Sequence, residues 1–408
     1  MTDRRPTVLL INSGKTAPVP LLEADDSHLL AVITEPGYRR LYSPGTRVRL
    51  VEDIADLHAV EQAGVEIAAG EPPLAVVAPS ERSLVPGAYL RGLFGLDGLD
   101  VTTAIGFTSK YAMKRRLRAA GVPVADFALV DGVRDLPRAV GELGWPLVVK
   151  PVFGTGSMRT VRLGGRAEFE AALGAGLLAE LDDAGRPLIA ERWIDMDAEY
   201  HCDAVVWDGE VRHAVASRYF EPLLGRLTEV NGSHTLPEGP VAGSILRLNR
   251  KVIEVLGLKA GVTHMEVFEA DGRLLVGEIA ARPGGGGIPR MIALSTGVDV
   301  WRAFVDISLG REPRLEPRLE PFATDGIHVN VQLPVKLGKV LEVPPWEEIE
   351  KLPGVLEVEP QIAPGDVVQG SIHSSRGAAQ VHAWLSSERE AGLLHDELER
   401  FSITVSSS

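Results

Sequence analysis

Trp145-Pro146-Leu147-Val148-Val149-Lys150-Pro151-Val152-Phe153-Gly154-Thr155-Gly156-Ser157 carries more structural information than any other segment of this chain. The apolar run 147–149 reads as a short buried strand that ends in Lys150. Gly154 and Gly156 let backbone come close to a ligand, and Ser157 adds a hydroxyl. Thr160-Val161-Arg162-Leu163 resumes the strand pattern, so the whole reads as a hairpin with a glycine loop at its tip. A lysine beside such a loop brings an ammonium and backbone N–H groups towards one anion, which suits a phosphate. The loop is not a P-loop, which needs Gly-Lys-Ser/Thr opening a helix. Taken alone, a plain turn between strands explains it equally well.

Upstream, Lys110 to Ala120 has helical spacing, with Met113 and Leu117 one turn apart and Gly121 as a stop. A second helix is expected around Asp135 to Leu143. Residues 1–107 alternate short apolar bursts (8–11, 28–33, 74–78) with polar helical stretches, the pattern of a parallel sheet covered on both faces. This predicts a doubly wound α/β unit. It lacks a Gly-x-Gly-x-x-Gly after its first strand, so a dinucleotide is not indicated. Downstream, strands are expected across 188–215, an amphipathic helix over 245–256, and paired strands 263–269 and 273–279 joined by Asp271-Gly272, a strong hairpin signal. A helix over 300–309 follows. The tandem Pro313–Pro321 reads as a stiff linker to a C-terminal α+β region, with Ser387 and Glu390 opening its last helix.

The expected hairpin places Glu266 and Glu278 at nearly mirrored offsets from its turn. Cross-strand neighbours on one face lie within about 5.5 Å, so two carboxylates there repel unless a cation joins them. Mg²⁺, held by few carboxylates plus phosphates, is the natural choice; one exposed glutamate on each strand is the plainer alternative. Arg282 follows Glu278 by four residues and precedes Pro283 and four glycines, 284–287. Its guanidinium matches the charge of a phosphoryl-transfer transition state, and Arg290 is a candidate for a substrate carboxylate.

Composition bounds the partners. Lys+Arg 42 against Asp+Glu 56 gives a net charge of −14, which disfavours nucleic acid and anionic membrane. The one cysteine, Cys202, excludes an intrachain disulfide and fits a reducing cytoplasm. No apolar run approaches the ~20 residues that span a bilayer.

Taken in order, Lys110, the Trp145–Pro151 strand, the Gly154–Ser157 loop, Glu191-Arg192-Trp193-Ile194, Glu199, Glu266 and Glu278-Ile279-Ala280-Ala281-Arg282 resemble the motifs of ATP-grasp enzymes. The likeness covers roughly 108–310, with a lid at about 122–190, flanked by the 1–107 unit and a 311–408 region that completes the ligase. The resemblance implies a mixed α/β and α+β ATP-grasp fold. It further implies that Lys110 and Lys150 hold the ATP phosphates and that Gly154, Thr155, Gly156 and Ser157 close over them. Glu191 would accept from the adenine amino group, Trp193 and Ile194 would offer backbone contacts, and Glu199 would bind the ribose. Glu266 and Glu278 would ligate Mg²⁺, and Arg282, with Lys150, would serve catalysis. Family members usually carry Asn where this chain has Ala280, which puts a second Mg²⁺ in doubt.

The wording Glu278–Gly285 is similar to amino-acid ligases that make dipeptides in natural-product pathways. The expected reaction joins a carboxylate to an amine through an acyl-phosphate. Bicarbonate activation by a carboxylase and a nucleotide binder without turnover are the alternatives. Arg218 and His234, in a polar segment expected beside the site, join Arg290 as substrate candidates; His234, Asp203 and Glu229 are candidates for the base that frees the amine. The other histidines read as structural. A cytoplasmic homodimer acting on small molecules is the expected setting.

Overall fold

The computed structural model describes residues 5–154, 159–183, 187–224, 226, 228–316, 326–370, 372 and 376–406. Thr155, Gly156 and Ser157 of the glycine loop, and much of the proline tandem, lie outside the described residues.

Strands β1 (Thr7–Asn12), β2 (Leu29–Thr34), β3 (Arg47–Leu50) and β4 (Ala75–Val77) form an all-parallel sheet in the order β3-β2-β1-β4. Side chains alternate across it: Val8 and Leu10 enter one apolar cluster while Leu9 and Ile11 enter another on the opposite face. That is the two-sided burial expected from the short apolar runs. Sequence periodicity missed β3, whose Arg47-Val48-Arg49-Leu50 carries charges at the sheet edge.

The lid sheet contains β5 (Phe127–Val130), β6 (Leu147–Pro151), β7 (Val161–Leu163) and β8 (Leu188–Arg192), ordered β5-β8-β6-β7 and antiparallel throughout. Leu147 and Val149 of β6 and Leu188 and Ala190 of β8 pack with helix Leu136–Leu143 into the lid core. Alternation therefore turns Val148, Lys150 and Glu191 to the other face.

The largest sheet begins with β9 (Ala198–Trp207), β10 (Glu210–Tyr219), β11 (Asn231–Thr235), β12 (Gly261–Ala270), β13 (Arg273–Ala280) and β14 (Ile327–Pro334). Beyond these come β15 (Gly338–Glu342), β16 (Val355–Pro360), β17 (Val367–Val368), β18 (Gly377–Leu385) and β19 (Thr404–Val405). The order β13-β12-β9-β10-β11-β14-β18-β16 carries the sheet across residue 310 without a break. The C-terminal region thus extends the central sheet while keeping its own core under helix Glu388–Leu398. Helix Pro240–Leu256 starts five residues before the expected Ile245, with Pro240 in its first turn and Gly257 closing it at φ 78°. It packs on Tyr200, Cys202, Met265, Val267 and Val276. The opposite face of those strands is left for Glu199, His264, Glu266, Glu278 and Ala280, all of which line a cavity.

Candidate active site

The cavity, of ≈ 1080 Å³, lies where the N-terminal unit, the lid and the central sheet converge. Its floor is the β12–β13 hairpin. Glu266 and Glu278 are directly paired: their offsets from the Asp-Gly turn differ by one residue, and a bulge between Val267 and Glu266 takes up the difference. Two facing carboxylates on a buried surface have different fates. Lys110 Nζ donates to Glu278 Oε1 at 2.9 Å and to the Gly154 carbonyl at 2.6 Å. Burial opposes the Glu278 charge, but Lys110 and Lys150 outweigh it and lower its pKa. Among the described residues no lysine ammonium pairs with Glu266; burial, then repulsion from Glu278, raises its pKa. An oxygen-only pair that is electrostatically frustrated on one side fits a hard divalent cation.

Lys150 and Glu191 face the cavity from the lid. Glu191 lies between two ammonium groups, Lys150 Nζ at 3.1 Å from Oε1 and Lys114 Nζ at 3.3 Å from Oε2. Burial works against its charge, yet the two lysines hold its pKa low. For Lys150, Glu191 and Glu278 overcome burial and raise the pKa; for fully buried Lys114, burial prevails and lowers it. Glu191 Oε1 is close to Lys150 but out of hydrogen-bond alignment, and among the described residues it has no hydrogen-bond donor. Glu191 contributes to the cavity wall, with this oxygen itself buried beside the Lys150 ammonium. Trp193 and Ile194 continue that wall. Glu199, on β9, accepts from the Leu223 N–H at 2.9 Å. Burial, then Glu266, pushes its pKa up to about 8.

Arg282 closes the far side. Its Nε donates to Glu81 Oε1 at 2.9 Å, a second guanidinium N–H reaches the same oxygen, and Nη1 donates to the Pro283 carbonyl at 2.9 Å. Burial would lower its pKa, but Glu81 keeps it raised. Lys15, in the loop after β1, is pushed down to about 8 by burial and by Arg282. The four glycines divide their work. Gly285 and Gly286 line the cavity, while Gly287 (φ 84°) would place a Cβ 2.6 Å from Gln380 Oε1. Asn330 Nδ2 donates to the Gly286 carbonyl and fixes the loop.

Over a region of this shape, an ATP-grasp domain model matches residues 115–297. An L-arginine-specific L-amino acid ligase of Bacillus subtilis is 37% identical over 391 residues, 94% of each chain. This chain belongs to the ATP-grasp family, among its amino-acid ligases. The L-amino acid ligase from Bacillus licheniformis has the same fold, with TM-score 0.76 at 21% identity over the whole of both chains. An ATP-complexed carboxyaminoimidazole ribonucleotide synthase from Aspergillus clavatus also shares the fold, with TM-score 0.71 at 16% identity over 98% of this chain and 99% of that one.

Within the ligase, the three substrate candidates Arg218, His234 and Arg290 lie outside the cavity lining. Ser217 and Tyr219 of β10 pair with Thr235 and Ser233 of β11, and Tyr219 and Ser233 face the cavity. Arg218 and His234, paired with each other between them, therefore point to the opposite face. There Arg218 lies 3.7 Å from Glu388, and His234 packs on Phe220. Arg290 leaves the cavity too, gripping Glu357 of β16 through two bonds of 2.5 and 2.6 Å. The candidate bases do no better. Glu229 pairs with Arg226 at 3.1 Å, and buried Asp203 bridges His201 and His264 at 2.6 and 2.9 Å.

Glu81, Lys15, Lys114 and Asn330 were missed. Lys114 had a signal, one helical turn beyond Lys110 on the same face. Glu81 had none, because its partner Arg282 is 201 residues away.

Proposed function

We propose that this ATP-dependent ligase activates the carboxylate of an amino acid and joins it to the amine of a second one, in natural-product assembly in the cytoplasm. The arrangement that carries the reading is the convergence of Lys110, Lys150, Glu266, Glu278 and Arg282 around one cavity. Lys110 and Lys150 hold the ATP phosphates, and the Gly154–Ser157 loop covers them. Glu191 accepts from the adenine amino group beside the backbone of Trp193 and Ile194, and Glu199 takes the ribose. Glu266 and Glu278 hold Mg²⁺, which when bound neutralises charge on the phosphates. The substrate carboxylate oxygen attacks the γ-phosphorus, its bond to ADP breaks, and an acyl-phosphate forms. Arg282, held by Glu81, stabilises the acyl-phosphate and the tetrahedral species that follows. The amine then displaces phosphate, which leaves with one oxygen of the original carboxylate.

The decisive assay is ADP and phosphate release with Mg-ATP across amino acids, singly and in pairs, with bicarbonate as a separate arm. L-Arginine heads the panel because the Bacillus subtilis relative is named for it. Turnover requiring amino-acid pairs and lost in Glu278→Gln supports the reading. Turnover with bicarbonate alone moves the enzyme to the carboxylases, and ATP binding without turnover makes it a nucleotide binder. A homodimer is part of the proposal, tested by light scattering on the eluting protein. Among the described residues no helix is long and apolar enough to cross a membrane.

A further inference from the structure

His264 is directly opposite Ala280 in the β12–β13 register, two residues before Glu266 on the same cavity-facing side. Its Nδ1–H donates to Asp203 Oδ1 at 2.9 Å, which leaves Nε2 as the free lone pair of the neutral ring. That Nε2 lies 3.9 Å from Glu266 Oε1. With metal–ligand bonds of about 2.1 Å, two atoms on one octahedral ion stand about 3.0 to 4.2 Å apart, so a single ion reaches both. A carboxylate behind an imidazole is also the arrangement that fixes the ring and raises its basicity as a ligand. The buried group His201, Asp203 and His264 is not itself a metal site. Asp203 already receives both Nδ1–H groups, and His201 Nε2 is engaged by Ser233 Oγ at 2.9 Å.

We infer that His264 Nε2 is a nitrogen ligand to the cation held by Glu266, oriented by Asp203. The site is then mixed N/O and favours Mn²⁺ or Co²⁺ over Mg²⁺, because imidazole suits transition ions and Mg²⁺ takes oxygen. This inference rests on reading Glu266 and Glu278 as cation ligands. Asp203 serves as a positioning residue, and its removal weakens Mn²⁺ binding by about 10-fold or more.

The test uses the full chain with Mn²⁺ as the probe, read by pulsed paramagnetic resonance for ¹⁴N coupling and by calorimetric titration. Wild type and His201→Gln should show imidazole nitrogen coupling to bound Mn²⁺; His264→Gln should bind Mn²⁺ more weakly and lose the coupling. Asp203→Asn should weaken binding while keeping the coupling. Mn²⁺ that binds and is lost in Glu278→Gln, yet shows no nitrogen coupling in wild type, overturns the inference and leaves the two-glutamate site standing. Absence of Mn²⁺ binding overturns both. A His264→Gln protein that does not fold leaves the wild-type and His201→Gln spectra to decide.

Discussion

Lys114 Nζ is buried completely, with Glu191 at 3.3 Å and the Val276 carbonyl at 3.4 Å as its partners. A charge placed so deep costs free energy unless its pair stays intact, and without Lys114 the Glu191 carboxylate keeps Lys150, at 3.1 Å, as its remaining cation. Lys114→Met is therefore expected to lower unfolding stability by about 1–3 kcal/mol, read from urea denaturation. A second consequence concerns Glu199. Its folded pKa of about 8 stands above its ordinary value of 4.5, so the folded protein holds a proton there that the unfolded chain releases. Between those pH values the unfolded state binds fewer protons, and this residue makes stability fall as pH rises, by up to about 1.4 kcal/mol per unit. Below 4.5 both states hold the proton and the effect vanishes. Glu199→Gln should remove this slope between pH 4.5 and 8, measured by denaturant midpoints across pH.

Sheet elements explain which residues were legible. The Asp271-Gly272 turn makes the hairpin legible, but its register alone would set Glu266 opposite Gly277; the bulge between Val267 and Glu266, which no local signal announces, brings Glu266 and Glu278 face to face. Lys150 was legible, as the cavity-facing member of an alternating strand. Arg218 and His234 were not, because their direction depends on a β10–β11 register set by a long connection with no diagnostic turn. His264 was passed over for a related reason. Histidine spacing along the chain shows no ligand motif, whereas the hairpin brings its ring beside Glu266. The glycine loop offers a test of element geometry. Gly287 combines a left-handed backbone with contacts to Asn330 and Gln380 that leave no room for a methyl group. Gly287→Ala is expected to cost about 1–3 kcal/mol in stability and to lower kcat, because Gly285 and Gly286 shift with it. Thermal unfolding and steady-state kinetics check both parts.

Across the whole molecule, the site is a junction rather than the property of one unit. The N-terminal unit contributes Glu81, at the start of its helix Glu81–Phe94, the lid Lys150 and Glu191, the central sheet Glu266 and Glu278, and the sheet's C-terminal extension Asn330. Partners such as Glu81 and Arg282, far apart in sequence, could not be paired before the units were assembled. Glu81→Gln should loosen the Arg282 guanidinium and reduce kcat by about 10-fold or more, a loss of about 1.4 kcal/mol, with little change in KM for ATP. The most direct test of the acyl-phosphate route is isotope transfer. With an amino acid labelled with ¹⁸O in its carboxylate, the phosphate released during amide formation should carry one ¹⁸O. ADP release with amide formed and unlabelled phosphate would contradict the account.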